Sequence, residues 1–577
     1  AFQALSRRRN LNKIYIVGDF NLKDVLWDAL SSPVPIEQCF IDSFVDLGLM
    51  QCICQPTHQK GNILDLLLTN SDTSIQNLQV MDKDSVCRSD HFPITFNINI
   101  RVGKKKPFKR RCYNFKRANW DGLNVDLCHT NWNAMLNCCE PEIGWKRFKE
   151  RLFELANKHI PKTTIKSDSQ PPWFDSECYD FCRKKERLRA KFKQSKREVD
   201  GLKFSLARKE FKKLVSQKMR DNLYSDDHDS ALITKKFWSH VKSTSKSSRI
   251  PEFVMHNEIT RSCPKEQAEL FNEFFYQQFS EASNYSVPID FSDDDRFDID
   301  FDHTKIRKLL AKINSNKAHG PDGIHGKLLK NCAVGLAYPL SLLFKVCYNC
   351  GSIPEEWKLG HVVPILKKGN KHEVSNYRPI SLTSLVMKTF ERIIKDELLG
   401  HVNGYIDGRQ HGFLAKKSCV TNMVGLCDSL ALSLNDNIAT DVVYFDFAKA
   451  FDSVNHDLIL SKLKYKFYVD GRLLKFIANY LKDRQQRVIM GNDMSSPKCA
   501  KSGVPQGSIL GPLLFVLFIN DLSDGLSPGT QLSLYAADTK ICRTIHTEYD
   551  SCCLQKDIDY LHDWSIRNKL KFHTDKC

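Results

Sequence analysis

Three short segments in the second half of this 577-residue chain carry side chains suited to metal ions and phosphate. The first, TDVVYFDFAKAFDSVNH at 440–456, places Asp446 within a β-branched and aromatic run, where a charge is costly unless it is paired or bound to a metal. The second, SGVPQGSILGPLLFVLFINDL at 502–522, is a Gly/Pro-rich loop carrying Gln506 and Gly507 into a strongly apolar helix. The third, LSLYAADTKI at 532–541, reads as a hairpin with its tip at Ala536–Asp538. It holds one carboxylate, Asp538, with Ala537 beside it. Each segment taken singly has an ordinary structural explanation: a satisfied strand Asp, a turn, a turn-favouring Asp.

Elements must position these groups, and periodicity supplies several. Residues 441–447 read as a buried strand followed by a helix, and DHTKIRKLLAKI from Asp302 combines a capping residue with apolar positions 306, 309, 310 and 313. The first hundred residues alternate strands and loops, with KIYIVGDFN, NILDLLLTN and PITFNINI as strand candidates, Ile94, Phe96, Ile98 and Ile100 facing inward in the last. A basic, mostly helical stretch runs from there to about 250, and the acidic FSDDDRFDIDFD reads as a solvated linker. The net charge of +17 is concentrated: residues 183–220 hold sixteen Lys/Arg against four Asp/Glu, 16 − 4 = +12, at helical spacing with Leu202, Leu206, Phe204, Phe211 and Leu214 as apolar stripes. That single-sign bias suits a phosphate backbone better than an ordinary solvated helix face. A second run, GKKKPFKRR at 103–111, is either a nuclear-import signal or a basic linker.

Length predicts about three or four domains. With 42% hydrophobic and 27% charged residues the composition is that of a globular protein, and no run of eighteen apolar residues predicts a membrane span. The N-terminus shows no secretory signal pattern. The 21 cysteines lack disulfide or zinc spacing; Cys347 and Cys350 form a C-x-x-C without a second pair, so reduced thiols in an intracellular compartment are expected.

In order, the three segments resemble the palm of a reverse transcriptase: FDFAKAFDSVNH its first motif, GVPQGSILGPLLF its second, YAAD its Tyr-x-Asp-Asp hairpin. Upstream, NKAHGPDGI, VPILKKGNKHEVSNYRPISLTSLVMKTFERII and HGFLAKKSCVTNM are similar to the fingers of the non-LTR retrotransposon branch, and WSIRNKLKFHTDKC to the palm motif that follows. The resemblance, jockey/CR1-like, covers about 300–577 and implies RNA-directed DNA polymerase activity with two Mg²⁺, an RNA template, a DNA primer and dNTPs. It implies Asp446 and Asp538 as catalytic metal ligands and Phe451 as the aromatic that excludes a ribose 2′-OH. It places Gln506 and Gly507 at the nucleotide and template, with Arg378 and either Lys367 or Lys368 on the triphosphate. Ala537 occupies the position of the hairpin's principal metal-binding Asp, so this copy is expected to be impaired.

GDFN at 18–21, LDLLLT at 64–69 and SDH at 89–91 are similar to the C-terminal part of the apurinic-type endonuclease/exonuclease/phosphatase sandwich that such elements carry. The resemblance implies that Asp19 orients water, Asn21 contacts phosphate, Asp90 orients His91 or binds metal, His91 binds the scissile phosphate, and Asp65 supports His91 or the metal. The family's upstream Glu and Asn have no counterpart before GDFN, so nicking is not expected.

The fold expected is thus multidomain, α/β and α+β. Its parts are a partial endonuclease sandwich (1–100), a basic helical connector with acidic linker (101–300), right-hand fingers (301–440) and a palm (441–577) without a thumb. Nuclear and cytoplasmic localisation follows from the family and the basic run, with no membrane partner. A catalytically silent RNA/DNA-binding protein is the alternative; the endonuclease segment argues against a group II intron maturase or a telomerase.

Overall fold

The computed structural model describes residues 14–71, 73, 75–82, 89–98, 109–137, 140–166, 173–223, 251–280, 290–292 and 296–577. The chain divides into two units of mixed α/β character, Ala1–Phe108 and Lys109–Cys577.

In the first unit, strands β1 (Tyr15–Asp19), β2 (Met50–Gln51) and β3 (Asp65–Thr69) form an antiparallel sheet of order β1-β3-β2. The continuous run Leu66–Leu68 is fully buried, as a central strand requires, and Ile41 and Phe44 of helix Pro35–Val45 pack in the same core. Strands β4 (Ile75–Val80) and β5 (Ile94–Ile98) pair as a hairpin, and β5 alternates half-buried Ile94, Phe96 and Ile98 with exposed Thr95 and Asn97. Ile100 and most of the 103–111 run lie outside the described residues.

The second unit opens with strand β6 (Lys109–Tyr113), which pairs antiparallel with β7 (Lys162–Lys166) across the intervening helices, and continues through hairpin β8 (Val254–His256) and β9 (Ile259–Arg261). Its remaining strands are β10 (Leu359–Leu366), β11 (Tyr377–Leu382), β12 (Ala439–Asp446), β13 (Gln485–Met490), β14 (Asp493–Met494), β15 (Lys498–Cys499), β16 (Gln531–Tyr535) and β17 (Asp538–Ile545). They make two sheets. One runs β11-β10-β13-β14 with β15 also on β13; the other is antiparallel β12-β17-β16.

The expected connector is not a connector. Trp145, Phe148 and Leu152 of helix Pro141–His159 and Leu123 and Leu127 of helix Trp120–His129 are buried in one core with Leu336, Phe344, Phe390, Phe476 and Phe515. The apolar stripe at 145, 148, 152 and 155 follows one helix face, while lysines and arginines on the other lend the segment its basic look. Ile299 and Phe301, at the end of the acidic stretch, also enter this core, so that stretch is a linker only in part. Helix His303–Ala311 begins as expected, Asp302 accepting the Thr304 and Lys305 N–H groups, with Ile306 and Leu310 buried.

The basic segment folds as two helices, Ser176–Ser195 and Glu198–Leu223, packed together and broken at Lys196, whose φ of 52° ends the first in the left-handed region. Leu202 and Leu206, read as part of an apolar stripe, are each 61% exposed. Arg208, Lys209, Lys212 and Lys213 form no ion pair among the described residues, whereas Lys184 pairs with Glu210 and Lys218 with Asp175 and Glu177.

Helix Ala333–Cys350 is long and apolar enough to cross a membrane by length and composition alone; here Leu336, Leu340 and Phe344 line the core. Within it Cys347 is buried and its thiol pushed well above the usual range by burial, while Cys350 is exposed. Among the described residues no cysteine takes part in a group placed to hold a metal.

Candidate active site

Strand β12 lies beside β17 with Asp446 directly opposite Asp538, and Asp538 also pairs with Tyr535 of β16. Facing residues of an antiparallel pair project to the same side, so the two carboxylates share one face. The turn between β16 and β17 is Ala536–Ala537. Ala536 has a φ of 53°, and its N–H donates to Gln410 Oε1, which also accepts from Gly412 N–H. A Cβ on Gly412 would lie 2.3 Å from Ala536 N, so this support is possible only with glycine there.

The tail of the unit runs along the free edge of β12. Asp446 C=O accepts from His573 N–H at 2.7 Å, Ala448 N–H donates to Lys571 C=O, and Phe447 and Phe572 stack at 4.6 Å. This course delivers the Lys576 ammonium onto the Asp446 carboxylate.

Cations converge opposite. Arg378 of β11 pairs in register with Ile365 of β10, and Lys367 follows β10, its N–H donating to Asn376 C=O. The Lys367 ammonium is held below the usual lysine range by burial, then by Arg378, Lys576 and Lys368, with Asp446 opposing. Lys449, in the turn after β12, is lowered by burial and by Lys576 and Arg378, with Asp452 opposing. Low-dielectric crowding of like charges marks a place where phosphate oxygens are welcome.

Phe451 stacks on Phe515 at 4.8 Å and 16° and meets Phe413 edge-on at 5.8 Å. Gln506 donates its side-chain NH₂ to both Asp452 oxygens, at 3.2 and 3.1 Å. Gly507 has φ +121°, and a Cβ there would fall 2.5 Å from the Ser381 carbonyl oxygen. The loop beyond is held from behind by Glu391, which is fully buried and accepts the Ile509 and Leu510 N–H groups. Burial pushes its carboxyl up, those two donors opposing. Glu391→Ala leaves both donors unsatisfied and is expected to destabilise the unit by about 3 kcal/mol; Glu391→Gln, which keeps an acceptor, recovers most of this in urea titrations.

Residues 365–577 match the family model described as "Reverse transcriptase (RNA-dependent DNA polymerase)", and residues 1–95 that of "Endonuclease-reverse transcriptase". The chain is 23% identical to the RNA-directed DNA polymerase from mobile element jockey of Drosophila melanogaster, over 98% of this chain and 65% of that protein. It is 27% identical to the probable RNA-directed DNA polymerases from transposon BS (60% of this chain, 40% of that one) and from the X-element (48% and 31%) of the same fly. The chain is thus similar to the non-LTR retrotransposon reverse transcriptases, through its matches over 365–577 and 1–95 and through these relatives. It spans between 31% and 65% of the length of these relatives.

In the endonuclease-like unit, Asp19 of β1 stands opposite Asp65 of β3. Asp65 Oδ2 lies 2.7 Å from His91 Nδ1, and Asp19 Oδ2 lies 3.9 Å from His91 Nε2. The residue that orients His91 is therefore Asp65. Asp90, expected in that role, is 3.4 Å from His58 Nε2 instead. Asn21, at φ 55°, donates its backbone N–H to Asp19 Oδ1. Asp19, Asp65 and His91 bring donor atoms within 4.8 Å of one another, as do His58, Asp90 and His91. His58 was not foreseen; its only mark is a histidine in the loop before a strand.

The Asp65 hydrogen bond raises the His91 pKa above its ordinary value, and Asp90 is lowered by its own backbone N–H and then His58. Since His91 is raised, the stability its pairing contributes is complete below about pH 6.5 and fades as pH rises through the higher folded value. Asp65→Asn is expected to return the His91 titration, followed by NMR, towards that ordinary value.

Proposed function

We propose that this chain is an RNA-directed DNA polymerase that extends a DNA primer on an RNA template with dNTPs, in target-primed fashion on chromosomal DNA and hence in the nucleus after cytoplasmic synthesis. The observation that carries this reading is Asp446 facing Asp538 across β12 and β17, with Lys367, Arg378 and Lys449 gathered beside them.

The donor set suits a divalent cation: two hard carboxylate oxygens on one face, one already compensated by the Lys576 ammonium, match Mg²⁺, which takes one or two carboxylates plus substrate phosphates. Asp446 and Asp538 would hold it. Bound there, Mg²⁺ would supply charge stabilisation for the attacking and leaving oxygens of an in-line displacement. For a second ion Ala537 offers no oxygen, which supports the reading of an impaired copy. Lys367 and Arg378 hold the triphosphate by charge-assisted hydrogen bonds. Phe451, braced by Phe515, presents a fixed aromatic edge that rejects a 2′-hydroxyl. Gly507 lets the loop backbone close against Ser381, which keeps Gln506 in place.

A second reading, a silent RNA/DNA-binding protein, is favoured by Ala537 together with the cations of helix Glu198–Leu223. Primer extension on an RNA template, compared with nucleic-acid retention at rising salt, separates the two.

A further inference from the structure

Two loops that meet at the nucleotide position are sewn together by backbone hydrogen bonds. Gly503 N–H donates to Val454 C=O and Val504 N–H to Phe451 C=O, both at 2.7 Å. Ser502 Oγ donates to Asp452 C=O at 2.7 Å, and His456 Nε2 to Gly503 C=O at 2.8 Å. From the other side, Ser381 N–H donates to Gln506 C=O at 2.9 Å. The backbone of Gln506 is thereby set, and its side chain is left with one decision: which end of the amide faces outward.

Asp452 makes that decision. An ionised carboxylate only accepts, and both of its oxygens receive the Gln506 NH₂. We propose that Asp452 is a positioning residue that locks the Gln506 amide with its carbonyl end, not its NH₂ end, offered to the incoming nucleotide, making this position an acceptor for a nucleotide hydroxyl or N–H. The inference rests on the polymerase reading above and adds a residue to it.

The surroundings suit a lock. Asp452 lines a cavity with His456, Arg484, Gln486, Ser502 and Gln506. Burial pushes its carboxyl up to about 6, with Lys449 and Gln506 opposing. The charged and titratable groups facing it are Lys449 from its own turn, His456 from helix His456–Tyr465 and Arg484 from the approach to β13. Burial lowers His456 and Lys449 from their ordinary values. A protonated Asp452 can donate to the amide oxygen instead, releasing the lock as pH falls through about 6.

The test uses the full chain carrying Ala537→Asp, with RNA template, chain-terminated DNA primer and Ca²⁺, so that dTTP binding is read by complex retention without turnover. Asp452→Asn is expected to weaken dTTP about tenfold, to leave primer–template affinity and Tm unchanged, and to abolish the parent's loss of dTTP affinity below about pH 6. Asp452→Glu restores part of the affinity. Unchanged dTTP affinity and pH profile in Asp452→Asn would overturn the proposal while leaving the polymerase reading intact. Equal loss of Tm and primer–template binding would reduce Asp452 to a folding residue. A parent chain that retains primer–template but never dTTP would overturn the polymerase reading, and this proposal with it.

Discussion

Ala537→Asp raises Mg²⁺-dependent primer extension on an RNA template by roughly 10²–10⁴-fold. The position follows a turn whose shape does not depend on its side chain: Ala536 takes the left-handed conformation, and Gln410 holds the turn through backbone N–H groups. The substitution therefore changes the donor set without changing the fold. At present Asp446 pairs with Lys576, with Lys367 and Arg378 in the same cluster, positive charge that suits phosphates while one metal position is left short of an oxygen ligand. Adding the third carboxylate corrects that shortage. Extension confined to the substituted chain means a sound architecture missing one ligand. Extension by neither leaves nucleic-acid binding as the working function, and equal extension by both removes Asp446 and Asp538 from the role given to them.

Trp145→Ala is expected to destabilise the Lys109–Cys577 unit by about 3–5 kcal/mol. Trp145 is 2% exposed, stands edge-on to Trp357 at 5.0 Å, lies 5.7 Å from Phe148, and donates its indole N–H to Glu356 at 2.7 Å. Lys149, one turn on, pairs with the same Glu356. Trp357 in turn meets Phe344 and Phe390, so the cavity opens onto the aromatic centre of the unit. Trp145→Phe keeps most of the packing and loses about 1 kcal/mol with the hydrogen bond. Denaturant unfolding followed by tryptophan fluorescence separates the two variants. Equal midpoints for wild type and Trp145→Ala would show that helix Pro141–His159 is an appendage after all. The corollary is a shorter chain: one beginning at residue 301 covers the whole reverse-transcriptase match yet lacks this layer, and it should not fold alone.

What the amino-acid sequence determined by itself is local. The β-branched and aromatic run at 441–447 produces β12, expected buried but with Asp441 and Tyr444 exposed, the alternating arms around the tight turn produce β16 and β17, and the Gly/Pro-rich run produces the loop carrying Gln506. These follow from period-2 patterning and turn chemistry, which act over a handful of residues. Partner choice was decided only in three dimensions. Gln506 reaches back 54 residues to Asp452, Lys576 reaches back 130 to Asp446, and Trp145 lies 211 positions from Glu356. His91 could face either Asp65 or Asp90 by sequence, and in three dimensions its Nδ1 lies 2.7 Å from Asp65 Oδ2. Helix Pro141–His159 looked like a solvated basic connector because charge is counted along the chain, whereas burial depends on which face meets a neighbour. Contacts at such separations carry no periodic signature, so the chain can specify them without displaying them.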